Sequence, residues 1–281
     1  MTRLAGRVAI VTGASRGVGK GVAVELGAAG ATVYVTGRTL REGDASLPGT
    51  IGATADAVAA AGGRGIAIAC DHRDDAAVEA LFARVAAEQG RLDLLVNNAF
   101  AMPSDLTSQR PFYERPVSDW DVMIDVGTRS AYVASVFAAR AMLPAGRGLI
   151  VNVSSSGAVE HRWHVVYGVG KAALDRITAD TALELAPHGI AVVSVWPGLV
   201  LTERTERARE VLPQLDFEHA ESPRFTGRAV VALASDPEVR RFSGRAVAAH
   251  DLALGYGFRD VDGRLPAGPI HFLPPQPRTA Q

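Results

Sequence analysis

Short, unbroken apolar runs recur along the chain at residues 8–11, 32–35, 65–70, 92–96, 149–153, 190–195 and 245–248. A strand with one wet face alternates apolar and polar side chains. An unbroken run instead fits a strand covered on both faces, as in a parallel sheet between two helix layers. The stretches between the runs carry helical periodicity and predict helices over about 17–29, 50–61, 74–89, 118–142, 166–186 and 224–234. Seven runs with intervening helices describe an α/β, doubly wound, single-domain fold whose ligands bind at the carboxyl ends of the strands. Three stretches break the rhythm: a polar Gly/Pro loop at 38–49, an irregular connection at 100–117 and a charged segment at 199–223. From Pro266 onward there are prolines at 266, 269, 274, 275 and 277 and no periodicity. The pattern thus predicts a domain over 1–265 and an extended Pro-rich tail over 266–281.

Composition narrows the partners. Hydrophobic residues make up 48% and charged residues 21% of the 281 residues, enough apolar material for a large core. The net charge is −1, and no dense basic cluster is present, so nucleic acid is not expected as a partner. A lone cysteine, Cys70, excludes an internal disulfide and supplies no metal-ligand spacing; its place at the end of an apolar run predicts a small buried residue. No apolar stretch approaches the roughly 20 residues of a membrane span, and the chain enters a strand pattern by Arg7 without a signal-peptide core. The simplest expectation is a soluble cytoplasmic protein.

Candidate chemistry sits at the predicted strand ends. Thr12-Gly13-Ala14-Ser15-Arg16-Gly17-Val18-Gly19 follows the first strand and opens the first helix. Such a turn lets backbone N–H groups approach a pyrophosphate, with the helix dipole favouring its charge. The second strand ends at Val35-Thr36-Gly37-Arg38. An acidic residue there would bind a ribose 2′-hydroxyl. Instead Arg38, with Arg16, offers cations suited to the 2′-phosphate of NADP(H), the competing reading being two solvated arginines. Asp71 closes the third strand, where a carboxylate can face an adenine. Asn97-Asn98-Ala99 closes the fourth, and Pro197-Gly198-Leu199-Val200-Leu201-Thr202 follows the sixth, near where a nicotinamide carboxamide would lie. Each is also compatible with a plain strand-end turn.

Tyr167 and Lys171 are four residues apart on the predicted helix 166–186 and so share a face. A neighbouring cation favours the phenolate and brings a tyrosine toward the range useful for general acid–base catalysis. The chain has 27 arginines and only two lysines, Lys20 and Lys171, so an ammonium at 171 is a departure from its habit. Ser154-Ser155-Ser156 closes the fifth strand, where a hydroxyl can hold a substrate carbonyl oxygen beside the phenol. No Gly-x-Ser-x-Gly elbow surrounds these serines, which argues against a hydrolase nucleophile.

With these residues in order, the chain resembles the short-chain dehydrogenase/reductase superfamily over roughly residues 4–255, a Rossmann fold. The resemblance implies that Tyr167 donates and accepts the proton, that Lys171 lowers its pKa and binds the nicotinamide ribose, and that Ser155 orients the substrate oxygen. Ser154 remains the alternative to Ser155. The implied cofactor-binding set is Gly13, Ser15, Arg16, Gly17, Val18, Gly19, Arg38, Asp71, Asn98, Ala99, Tyr167, Lys171, Pro197, Gly198, Val200 and Thr202. The implied partners are NADP(H), a small and hydrophobic carbonyl or alcohol substrate, and further copies of the chain in a homodimer or homotetramer. Phe100, Phe112, Tyr113, Trp163 and Trp196 are candidate pocket walls. Thr202 to Arg207 carries charges at helical spacing, fitting a mobile lid or a solvated helix equally. Two positions depart from the family pattern: Phe100 replaces the glycine after Asn97-Asn98-Ala99, and Gly127 replaces an active-site asparagine. We expect an ordered water, or else His164, to fill the gap at 127, and an asparagine to fit there. A competing reading of the whole chain is a low-turnover dinucleotide-binding sensor or scaffold. A lyase or dehalogenase on the same scaffold would not need the glycine-rich loop.

Overall fold

The computed structural model describes residues 3–103, 110–213 and 215–268. Seven parallel strands form one sheet: β1 (Val8–Val11), β2 (Thr32–Gly37), β3 (Arg64–Ala69), β4 (Leu94–Asn97), β5 (Gly148–Val153), β6 (Ile190–Trp196) and β7 (Ala246–Ala248), in the order β3-β2-β1-β4-β5-β6-β7. Successive residues of a strand face opposite layers. Ala9 and Val11 of β1 pack into one core with Val22, Leu26, Val58, Phe225 and Leu252, while Val8 and Ile10 join Val78, Phe82, Met142 and Ile190 in the other. The unbroken apolar runs are therefore two interleaved half-faces, each buried.

One helix layer contains α1 (Gly17–Ala28), α2 (Ile51–Ala60), α8 (Pro223–Ser235) and α9 (Ala249–Tyr256). The other contains α3 (Asp75–Gln89), α5 (Ser130–Met142) and α6 (Val165–Leu185). The predicted 118–142 helix is not continuous. It divides into α4 (Asp119–Ile124), a π turn over Asp125–Arg129 and α5. The 199–223 segment contains the short α7 (Glu203–Ala208), and α9 lies where no helix was predicted. Cys70 is buried, as expected. No helix among the described residues is long and apolar enough to cross a membrane. Most of the Pro-rich tail, residues 269–281, lies outside the described residues; within them, the Pro266 carbonyl lies 2.8 Å from Nδ1 of His250 on α9.

Candidate active site

The sequence order of the strands reverses between β1 and β4, and a crevice opens there at their carboxyl ends. Thr12 clamps the two strands together. Its hydroxyl accepts from the backbone N–H groups of Asn98 and Ala99, both at 2.9 Å, while the Asn98 amide donates to the carbonyls of Thr12 and Gly13. Gly13 is required for this approach: its φ is +63°, and a Cβ would stand 2.6 Å from Cα of Ala99. Gly19 does not face the crevice but packs on the Asn98 amide, 2.3 Å from where its Cβ would be.

A cavity of about 270 Å³ runs from Gly13, Ser15, Gly17 and Val18 along Ala99 to Arg38 and Asp71. Helix α1 has no side-chain cap of its own, and its Gly17 N–H donates to Oε2 of Glu203 at 3.0 Å. The N-terminus of α1 thus already holds an anion, a carboxylate from α7 where a phosphate oxygen would find the same donor. Arg16 gives Nε to the Pro48 carbonyl and Nη2 to Gly49 O and Thr39 Oγ1. Arg38 is more than half exposed and 3.7 Å from Asp71. Hydrogen bonds from Arg73, aided by the Arg38 charge, hold the Asp71 carboxyl down at about 2. Two lining residues were not anticipated. His72 is buried beside Thr36 (Nε2 to Oγ1 2.8 Å), and burial lowers its pKa to about 4, so it is neutral. Arg204 of α7 lines the cavity beside Arg16, and burial with that like charge lowers its pKa.

A second cavity, about 280 Å³, adjoins the first through Val18, Asn98, Phe100, Thr202 and Arg204. Ser155, Tyr167 and Lys171 converge in it. Ser155 Oγ and Tyr167 OH are 2.8 Å apart, whereas the Ser154 hydroxyl donates to the Lys171 carbonyl at 3.2 Å. Of the two serines left open by the sequence, it is thus Ser155 whose hydroxyl stands within hydrogen-bond distance of the Tyr167 phenol. The Tyr167 ring lies against Gly157, where a Cβ would stand 2.6 Å from Cε1. His164 caps α6: its Nδ1 accepts from the Tyr167 N–H at 3.4 Å. Lys171 is buried and donates from Nζ to the Val153 carbonyl at 3.0 Å. Burial lowers its pKa to about 8, partly offset by Asp175. The Tyr167 pKa is raised by burial, with the Ser155 hydrogen bond and the Arg162 charge acting the other way.

The space at Gly127 is filled neither by His164 nor as a slot for an asparagine. The Phe100 ring fills it: a Cβ at 127 would stand 2.7 Å from Cδ2 and 3.0 Å from Cε2 of that ring. The expectation that an asparagine would fit there is corrected accordingly, and both departures from the family pattern are one contact. Of the other aromatics, Trp163 lines the cavity, with a left-handed φ of 57° that is uncommon outside glycine. Phe112 and Tyr113 are mostly exposed, and Trp196 donates from Nε1 to Asp175, so these three do not wall the pocket.

The turn after β6 forms the remaining wall, with Pro197, Gly198, Val200 and Thr202 facing the second cavity. Buried Glu221 anchors this turn. Its Oε2 accepts from the Gly198 N–H at 3.0 Å and its Oε1 from the Thr226 hydroxyl at 2.6 Å. Thr202 then caps α7 by accepting from the Thr205 N–H. Beyond α7, Leu212, Leu215 and Phe217 pack with Trp163 and Leu199 as an apolar cluster over the cavity.

Comparison with known proteins agrees with this geometry. Residues 7–212 match the model of the short chain dehydrogenase family. Over 272 residues the chain is 48% identical to dehydrogenase/reductase SDR family member 1 of Mus musculus, covering 92% of this chain and 84% of that one. A metagenomic short-chain oxidoreductase solved in complex with NADP superposes with a TM-score of 0.70 at 30% identity, over 88% of this chain and 97% of that one. A short-chain type dehydrogenase/reductase from Mycobacterium marinum gives a TM-score of 0.74 at 28% identity, over 87% and 94% of the two chains.

Proposed function

This chain belongs to the short-chain dehydrogenase family, and from that premise we propose that it is an NADP(H)-dependent oxidoreductase interconverting a hydrophobic carbonyl compound and its alcohol. The observation that carries the reading is the convergence of Ser155, Tyr167 and Lys171 in an apolar cavity continuous with the glycine-rich crevice. The residues present fit a dinucleotide. Gly13, Ser15 and Gly17 line the crevice at the α1 N-terminus, where a pyrophosphate oxygen would take the place of the Glu203 carboxylate on the Gly17 N–H, and Arg16 and Arg38 line the far end, where a 2′-phosphate would lie. When bound, the nicotinamide supplies or receives the hydride.

The chain's own groups supply the rest. Ser155 Oγ and Tyr167 OH, 2.8 Å apart, can both donate to one carbonyl oxygen, which fixes the substrate at the cavity floor. Burial keeps the Tyr167 phenol protonated, the state needed to deliver a proton as the carbonyl is reduced. The ammonium of Lys171, one helical turn away, favours the phenolate left behind. Leu212, Leu215 and Phe217 exclude water from the opposite wall, which suits a ketone or aldehyde with an apolar body.

The test is NADPH consumption, followed by absorbance, across a panel of aliphatic and aromatic carbonyls. Tyr167→Phe keeps the ring and deletes the proton, so it should lower turnover by roughly 10²–10⁴-fold with NADPH affinity nearly unchanged. Turnover close to wild type in that variant would remove Tyr167 as the acid. No consumption with any carbonyl would favour a dinucleotide-binding sensor instead.

A further inference from the structure

The buried ammonium of Lys171 donates from Nζ to the Val153 carbonyl at 3.0 Å. On another side lies an aromatic face: Nζ is 4.6 Å from the centroid of the Phe100 ring, closer than its 5.9 Å to the ring of Tyr167. The Phe100 ring also meets the Tyr167 ring edge to face, with centroids 6.0 Å apart and planes at 78°. It reaches this place only because residue 127 has no side chain, for a Cβ there would stand 2.7 Å from its Cδ2. The π turn carries Gly127 at this point, so the helix presents bare backbone to the ring.

We propose that Phe100 is the positioning residue of Lys171, its ring seated in the space Gly127 leaves and its face holding the ammonium beside Tyr167. Its catalytic meaning rests on the function proposed above, while the contact itself can be tested without turnover. A cation over an aromatic face is attracted by the ring quadrupole, more strongly once both are desolvated, and Lys171 is buried. The groups around it leave few rivals for this role. On its own helix are Tyr167 and Asp175, the latter favouring the charge. From the end of β5 and the turn after it come the Val153 carbonyl and the neutral Ser154 and Ser155. The Asn98 amide after β4 is committed to Thr12 and Gly13, and the Arg162 charge from the loop before α6 acts on Tyr167.

Because Lys20 and Lys171 are the only lysines, selective labelling of lysine side chains at Cε gives two resonances, with Lys20 as internal reference. In the wild type, ring current should move the Lys171 Hε protons upfield. Phe100→Leu should abolish that displacement and lower the Lys171 titration midpoint by roughly half to one pH unit, since the ring favours the charged form. Phe100→Tyr should restore both. Gly127→Ala should push the ring aside and reproduce Phe100→Leu, and adding it to Phe100→Leu should change nothing further. A cooperative melting transition close to that of the wild type in each variant reports an intact fold. A Lys171 signal that keeps its shift and midpoint in Phe100→Leu overturns the proposal. If the signal moves but the alkaline limb of the pH–rate profile does not, the contact stands and the catalytic role given to Lys171 fails.

Discussion

The two arginines at the far end of the dinucleotide crevice differ in what they have left to give. Arg16 spends Nε and Nη2 on the loop that follows β2. Among the described residues, Arg38 has one ion-pair contact, to Asp71 at 3.7 Å, with its side chain 57% exposed, and can swing onto a phosphate. A charge-assisted hydrogen bond of this kind contributes about 1.5–3 kcal/mol. Arg38→Asp should therefore weaken NADPH by at least about tenfold, since it also sets a second carboxylate beside Asp71, and should favour NADH. Titration calorimetry with both dinucleotides checks this; unchanged NADPH affinity would take Arg38 out of the site. At this scale the sequence was legible wherever position alone fixes placement: Arg38 at a strand end lines the first cavity, and Tyr167 and Lys171 at helical spacing line the second. It was illegible where meaning depends on a contact through space. Phe100 and Gly127 are each odd alone and explain one another only when the ring is seen in the empty volume. Ser154 and Ser155 differ only in which way the strand end turns them.

Among the elements, the turn after β6 depends on a carboxylate it does not contain. Glu221 joins Gly198 in that turn to Thr226 on α8, and burial raises its pKa to about 7 from an ordinary 4.5. A carboxyl whose folded pKa is raised contributes stability that is complete below the unfolded value and is lost as pH climbs through the folded one. The loss is spread over about pH 4.5 to 7 and amounts to about 3 kcal/mol. Glu221→Gln keeps the shape without the charge, so its melting temperature should exceed that of the wild type at pH 8 and match it at pH 5. An equal difference at the two values would show that ionisation at 221 is not the cause. The elements hidden from the sequence were those without a period to show. Helix α9 spans only Ala249–Tyr256 and has no side-chain cap. The break between α4 and α5 is marked only by Gly127 inside an otherwise helical pattern.

At the scale of the molecule, the fold was the most legible property, because a parallel sheet writes each strand as a continuous apolar run and each crossover as a helix. What the runs do not encode is their lateral order, and that order has a consequence in time. The two rims of the crevice, after β1 and after β4, are more than 80 residues apart in the chain and are joined by the Thr12 clamp. Pairings of such separation form slowly, after the entropy of closing the intervening loop has been met. Until β4 docks beside β1 there is only half a crevice for a dinucleotide to recognise. NADPH should therefore act as a late ligand. In stopped-flow experiments it should slow unfolding and raise the melting temperature by mass action, yet leave the refolding rate where it is without it. Faster refolding in its presence would mean that the half crevice of β1, β2 and β3 already binds, and that the cofactor helps to bring β4 in.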